Sequence, residues 1–248
     1  MRIVLFSIFG FNVYSHGVFM VLGMVIGGWL LYRLAKKEGL LVQHFLIDYT
    51  TSLIIGILFS RICFYLLNLQ SYNSLWEITQ IWEGGLISFA GFILGTLTFL
   101  FLLLKRKQRI SPWLNLSGII FPLAIAIGRI GCALNGEFGI KTKSILAIYG
   151  YMPVTILEIY LGIVIFIFNF YLYQRYKDKL LPNILFLNFI TLYSLGRVII
   201  DNWRIDTKLI IGINLSQLVS LIIFIISLIT YLLYLYEYQR KMRQHDIR

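Results

Sequence analysis

Apolar residues run along this chain in blocks far longer than the amphipathic repeats of a water-soluble helix. Seven blocks, at approximately 14–35, 47–69, 85–104, 115–133, 154–174, 181–200 and 213–236, each supply the roughly 20 predominantly apolar residues that cross a bilayer as an α-helix. Between them lie short polar or basic turns, so the pattern predicts an all-α integral membrane protein, a seven-transmembrane-helix bundle. The arm 1–13, with Phe6, Phe9 and Phe11 interrupted by Gly10 and Asn12, is too short to span and is expected in the membrane interface. Residues 237–248 form a basic tail. One bundle, 14–236, accounts for most of the chain and leaves no room for a separate soluble domain.

Small residues punctuate the blocks. Gly23, Gly27 and Gly28 in the first span permit tight helix packing, and Ser88, Ala90, Gly91 and Gly95 keep one flank of the third span smooth, for another helix or for an acyl chain. Trp82-Glu83-Gly84-Gly85 ahead of that span reads as an interfacial aromatic followed by a tight turn or broken helix end.

Composition sharpens the membrane reading. The 248 residues are 59% apolar and only 13% charged, against about half and a quarter in soluble domains. The net charge of +11 is sided rather than spread. Alternate loops place fourteen basic residues on one side (Arg33, Lys36, Lys37; Lys105, Arg106, Lys107, Arg109; Arg175, Lys177, Lys179; Arg240, Lys241, Arg243, Arg248). The other side holds five: Arg2, Lys141, Lys143, Arg204 and Lys208. This predicts the amino terminus outside (periplasmic) and the carboxyl terminus cytoplasmic, with the surplus a seat for anionic membrane lipid rather than nucleic acid. Met1-Arg2 followed by IVLFSIFGF has no small-residue cleavage site, and no secretory signal peptide is expected.

Three arginines remain in or near the spans. Arg129 sits between Gly128 and Gly131 in the stretch PLAIAIGRIGCALNGEFG and is followed by Asn135, Gly136 and Glu137. A guanidinium is costly in hydrocarbon, so it is expected to face the bundle interior and meet an anion, or to tie helices together through carbonyls. Tyr193, Arg197, Asp201 and Arg204 are spaced by four, four and three and share one face if the sixth helix is continuous. Two arginines around one aspartate leave positive charge over, a seat for phosphate, although an i,i+4 Arg–Asp pair can also simply close a helix end. Arg61 can reach a lipid phosphate or pair within the bundle.

The acidic and histidine candidates are plainer. Glu158, about one turn into the fifth span, is an ionisable membrane residue or a capping carboxylate. Asp48, near the cytoplasmic end of the second span, reads as solvated and structural, and His16 as a hydrogen-bonded interface residue. Cys63 and Cys132 both lie in apolar helices as small hydrophobes. No metal or organic cofactor is expected, because His16, His44 and His245 are scattered and neither cysteine sits in a ligand spacing.

Taken together, W-E-G-G-L before the third span, G-R-I-G-x-x-x-N-G-E at the end of the fourth, M-P-x-x-x-x-E entering the fifth and Y-x-x-x-R-x-x-x-D-x-x-R on the sixth resemble the bacterial prolipoprotein diacylglyceryl transferase family. The resemblance runs from His16-Gly17 through the seventh span. It implies a multi-pass enzyme of the bacterial cytoplasmic (inner) membrane that moves the diacylglyceryl group of phosphatidylglycerol onto the lipobox cysteine of a preprolipoprotein signal peptide. On that resemblance Arg129 and Arg197 are the essential arginines, and Glu137 and His16 join them as catalytic candidates. Asn135, Gly136, Tyr193, Asp201, Arg204, Arg61, Glu158, Gly84 and Gly85 are then the substrate-binding candidates.

The chain departs from the family pattern at four places. Phe89 stands at the family's histidine, Cys132 at the asparagine of R-x-G-N, His16 at a first-span tyrosine and Asp201 at a longer glutamate. A divergent paralogue using the same phospholipid site for another acceptor, or only for lipid binding, is therefore the second reading. A carrier for an anionic solute is the third, and would need a continuous polar path across the bilayer.

Overall fold

The computed structural model describes residues 4–8, 11–71, 74–79, 85, 87–176, 180–205 and 212–245. Among the described residues there are seven α-helices: α1 (Ser15–Lys37), α2 (Phe45–Leu67), α3 (Ser88–Lys105), α4 (Ile110–Leu134), α5 (Val154–Tyr176), α6 (Ile184–Ile200) and α7 (Leu215–His245). Six are long and apolar enough to cross a membrane. The exception is α3, of 18 residues. At 1.5 Å per residue it measures about 27 Å against a hydrocarbon core of about 30 Å. The segment expected as the interfacial arm is an antiparallel hairpin, β1 (Val4–Ile8) paired with β2 (Phe11–Tyr14), running directly into α1. A hairpin pairs its own backbone groups, which a lone strand in apolar surroundings could not. At the other end α7 continues as helix to His245, through most of the expected basic tail.

The chain divides into two compact units, Tyr32–Trp113 and the remainder. In the unit Tyr32–Trp113, α2 and α3 approach where side chains are smallest. A Cβ built at Gly56 would lie 2.7 Å from the Gly91 carbonyl, and one at Gly95 would lie 3.1 Å from that of Ser52. The smooth flank of the third span thus serves helix packing. Phe45 stacks on Trp113 (centroids 5.7 Å apart) and meets Phe99 edge-on, giving this unit an aromatic core.

Asp48 differs from expectation. It is buried, and Arg106 grips it with two bonds (Nε–Oδ2 2.6 Å, Nη2–Oδ1 2.8 Å), so a paired rather than a solvated carboxylate starts α2.

The larger unit is arranged around α4. Gly23 of α1 lies against the Ala124 carbonyl, where a Cβ would stand at 2.5 Å, and Gly162 of α5 lies against that of Pro122. Gly118 of α4 itself lies against the Leu185 carbonyl of α6. Such approaches leave carbonyls without room for side chains but in need of donors, and Asn169 supplies them. It is completely buried on α5 and donates to the carbonyls of Gly118 (2.8 Å) and Leu185 (2.9 Å). Asn115 accepts from the Leu185 amide at 3.1 Å. One polar knot therefore fixes α4, α5 and α6 together.

At the opposite end of these helices the loop after α4 is stitched to the turn after α6. Gly139 donates to Met152 at 2.7 Å and Ile140 to Trp203 at 2.8 Å. Met152, Val154 and Ile200 close beneath it with Leu157, Leu161 and Trp203. Outward faces are aliphatic, as Ile222, Ile226, Ile229 and Leu233 on α7 show.

Close approach at Gly118 gives a paired test. Gly118→Ala should cost about 1–3 kcal/mol, because its methyl meets backbone that cannot yield. Gly17→Ala, with nothing within 4 Å, should stay within about 0.5 kcal/mol of the parent. Thermal unfolding of both variants in detergent micelles compares them directly.

Candidate functional site

The carboxyl end of α4, the amino end of α5 and the carboxyl end of α6 meet in the larger unit, and each brings charge. Glu158 lies one turn into α5 and is completely buried. A carboxylate there is favoured by the helix amino terminus but has lost its water, so it requires cations.

Three guanidinium groups provide them. Arg129 from α4 places Nε 2.6 Å from Oε2, Arg197 from α6 places Nη1 against Oε1, and Arg204 approaches Oε1 at 3.4 Å. The expected anion for Arg129 is therefore a side chain of the neighbouring helix. Glu158 is the centre of the cluster rather than a helix cap.

Arg197 reaches a second carboxylate. Its Nη2 lies 3.0 Å from Asp201, the i,i+4 partner expected from spacing. Asp201 also accepts from the Ser216 hydroxyl at 3.0 Å, and its carbonyl accepts from Asn214 at 3.0 Å, which attaches the start of α7. The sixth helix is not continuous through this face. It ends at Ile200 and tightens into a 3-10 turn, Asp201–Trp203, leaving Arg204 in extended backbone. Arg204 still converges on the cluster, and its ion pair runs to Glu158.

Among the described residues, three arginines face the two carboxylates Glu158 and Asp201 in this cluster. The pairs differ in quality. Arg197 is nearly enclosed, with a side chain 10% exposed, whereas those of Arg129 and Arg204 are each 25% exposed. Arg129 is close to Oε2, yet that oxygen receives no aligned hydrogen bond among the described residues. Charge rather than direction joins them, and an oxyanion aligned with the guanidinium can compete for it. The Tyr193 phenol stands beside Arg129, Arg197 and Glu158, with its ring 5.7 Å from that of Phe189.

A second group flanks Arg129. Gly131 lets the start of α1 come in, where a Cβ would lie 2.8 Å from the His16 Cα. His16 Nδ1 thereby stands 3.1 Å from Cys132 Sγ, and Arg129 Nη1 lies 3.9 Å from the same sulfur. Ser15 donates to Asn135 at 2.8 Å, so Asn135 helps seat the helix end. Gly136 takes φ +72° as α4 terminates, a conformation that suits glycine. Glu137 follows with an exposed side chain, while its carbonyl accepts from the Thr155 hydroxyl at 3.1 Å.

Of the sequence candidates, Arg129, Arg197, Arg204, Glu158, Asp201 and Tyr193 thus come together, with His16, Asn135, Gly136 and Glu137 beside them. Arg61 and Gly85 belong to the unit Tyr32–Trp113. There the buried Arg61 donates Nε to Ile78 O at 3.1 Å and Nη1 to Gly85 O at 3.2 Å, pairing within the protein. Gly84, with Trp82 and Glu83, lies outside the described residues. Ser15, Thr155, Asn214 and Ser216 were missed. Each is a short polar residue at or near a helix start, a capping signal readable as such but silent about the partner.

A family profile described as Prolipoprotein diacylglyceryl transferase matches residues 3–233. The chain is 31% identical to a phosphatidylglycerol–prolipoprotein diacylglyceryl transferase of Thermotoga maritima, over 92% of this chain and 83% of that protein. It is 28% identical to phosphatidylglycerol–prolipoprotein diacylglyceryl transferase 1 of Clostridium perfringens, over 98% of each. It is also 30% identical to the enzyme of that name in Limosilactobacillus reuteri, over 88% and 86%.

Removing the central carboxylate tests the cluster. Glu158→Gln leaves three arginines facing a neutral amide and should destabilise the protein by about 3 kcal/mol. Tyr160→Phe, on the exposed side of the same helix, should change little. Equal melting midpoints for the two variants in detergent would show that Glu158 does not hold the cluster.

Proposed function

Because the chain belongs to the prolipoprotein diacylglyceryl transferase family, we propose that it transfers the diacylglyceryl group of phosphatidylglycerol to the lipobox cysteine thiol of a preprolipoprotein. The observation that carries this reading is the convergence of Arg129, Arg197 and Arg204 on one buried glutamate. A phosphodiester carries one negative charge, the kind of group that clustered guanidiniums bind. As the acceptor sulfur attacks the glycerol carbon, a C–S bond forms, the C–O bond to phosphate breaks and its electron pair moves onto the phosphate. Glycerol phosphate leaves with more charge than the phosphodiester had. Arg129 and Arg197, held by Glu158 and Asp201 before substrate arrives, stabilise that gathering charge without reorganising.

The acceptor must arrive as thiolate. His16 and Glu137 flank Arg129 on the side of Cys132 and are the groups we assign to the proton. Tyr193 and Asp201 position the arginines, and Asn135 and Gly136 shape the entrance. Phe89 at the family's histidine position motivates the alternative, a paralogue that uses the same phospholipid for another acceptor. The carrier reading loses support, since the buried charged side chains described in the larger unit, Glu158, Arg197 and Asp201, gather at one end of its helices.

We place the protein in the bacterial cytoplasmic membrane with seven spans, the amino terminus outside and the α7 end inside. The basic-residue asymmetry supports this orientation, and the arginine cluster then faces the outer leaflet. A fluorescent protein fused after Arg248 should fluoresce in cells, whereas alkaline phosphatase fused there should be inactive; the reverse result would invert the topology.

Activity decides the chemistry. Purified protein incubated with phosphatidylglycerol and a lipobox peptide should give a peptide heavier by the diacylglyceryl group. Arg129→Gln and Arg197→Gln should each lower turnover by about a hundredfold or more. Wild-type rate in either variant counts against the assignment, and lipid consumption without peptide modification would favour the paralogue.

A further inference from the structure

His16, Cys132 and Glu137 form a group that the arginine cluster does not explain. One imidazole nitrogen, one thiol sulfur and one carboxylate oxygen lie within 4.8 Å of one another. His16 Nδ1 and Cys132 Sγ are separated by 3.1 Å although the residues are 116 positions apart. Local structure holds all three. Gly131 seats the His16 backbone, Cys132 is buried in the last turn of α4, and the Glu137 amide donates to the Cys132 carbonyl at 3.3 Å.

Nitrogen, sulfur and carboxylate oxygen together are the donor set of a borderline-soft d10 cation. Zinc binds them at about 2.0–2.3 Å in tetrahedral geometry, which sets donor atoms roughly 3.3–3.7 Å apart. The pair from α1 and α4 is already near that separation, and the exposed Glu137 side chain can swing to close the rest. Arg129, 3.9 Å from the sulfur, opposes a second cation, but its charge is taken up by Glu158 at 2.6 Å. We propose that His16, Cys132 and Glu137 bind a thiophilic divalent cation of the zinc class, with three protein ligands and one coordination position open.

The open position has a use, and this second step rests on the transferase reading whereas the metal site does not. With the cation bound, His16 and Glu137 act as its ligands in place of the proton-accepting role given them above: an acceptor cysteine entering beside Arg129 takes the open position as thiolate, its S–H bond breaks and the proton passes to water at the exposed Glu137 side. The metal-bound sulfur then forms a C–S bond to the glycerol carbon as the C–O bond to phosphate breaks, and glycerol phosphate leaves with that electron pair beside the arginines.

Cobalt reports the site without any turnover. Chelator-stripped protein titrated with Co²⁺ should develop a thiolate-to-cobalt charge-transfer band and the visible bands of a tetrahedral ion, displaced by Zn²⁺. Cys132→Ser should abolish the charge-transfer band, Cys63→Ser should leave it, and His16→Gln or Glu137→Gln should weaken binding about tenfold or more. Melting midpoints and circular dichroism confirm that each variant is folded. Absence of the band in folded parent protein, or its persistence in folded Cys132→Ser, overturns the site. Chelation that halts peptide modification, with rescue by Zn²⁺, supports the thiol step; turnover unchanged in metal-free protein overturns that step. A cobalt spectrum in a protein that never modifies the peptide refutes the transferase reading and leaves the site standing.

Discussion

A carboxylate without water governs the charged end of the larger unit. Glu158 is completely buried one turn into α5, and its charge is tolerable only because guanidinium groups from two other segments come to it. Those arginines have the converse problem. Arg129 and Arg197 stand in helices made of Ile, Leu, Val and Gly, where an unpaired cation is costly. Mutual compensation brings the ends of α4, α5 and α6 to one place, and Asp201 extends the arrangement to the start of α7 through Ser216 and Asn214. Buried pairs of this kind contribute little net stability compared with well-packed apolar residues. What they provide is a fixed constellation of positive groups, already oriented, which on the proposed function receives the substrate anion.

Packing makes that constellation possible. Helices rich in Leu and Ile stand far apart, yet the salt bridges require the ends of α4, α5 and α6 to converge. Gly23, Gly118 and Gly162 bring the backbones close on different sides of α4. Closeness exposes carbonyls to one another, and Asn169 and Asn115 supply and balance the hydrogen bonds at the end of the bundle remote from the arginines. The unit is therefore held at both ends by polar contacts and along its length by small residues, while the outward aliphatic faces are left to lipid.

Length and apolarity made the helices legible, because a bilayer enforces both. Arg129 and Arg197 stood out for the same reason: a charge in such a run has no cheap structural use. Their partner was not legible. A glutamate one turn into a helix reads equally as a cap, and nothing in linear order says which helices flank it. Asp48 read as solvated because it lies near a span end, but Arg106, 58 positions away, folds back onto it. Spacing placed Tyr193, Arg197, Asp201 and Arg204 on one face on the premise of an unbroken helix. The 3-10 turn at Asp201 breaks that premise, and Arg204 joins the cluster from extended backbone instead. The hairpin before α1 was hidden because Gly10 and Asn12 gave a turn signal in a segment judged only by its length and apolarity.

His16 and Cys132 show how far linear spacing can mislead about chemistry. Metal motifs are sought as ligands a few residues apart, and by that criterion this chain has none. In a helical membrane protein the relevant neighbours are helix ends brought together by packing, and the small residue at Gly131 is what admits the start of α1 against the end of α4. The same contact places a sulfur between an imidazole and the Arg129 guanidinium. Where the family pattern has an asparagine, this chain has a group that can ionise or take a metal. On the proposed function Arg129 links two chemistries: through Glu158 it would belong to the phosphate seat, and through Cys132 it adjoins the groups suited to a thiol. A transfer from phosphodiester to thiol needs those functions side by side, and one arginine at the end of α4 lies between them.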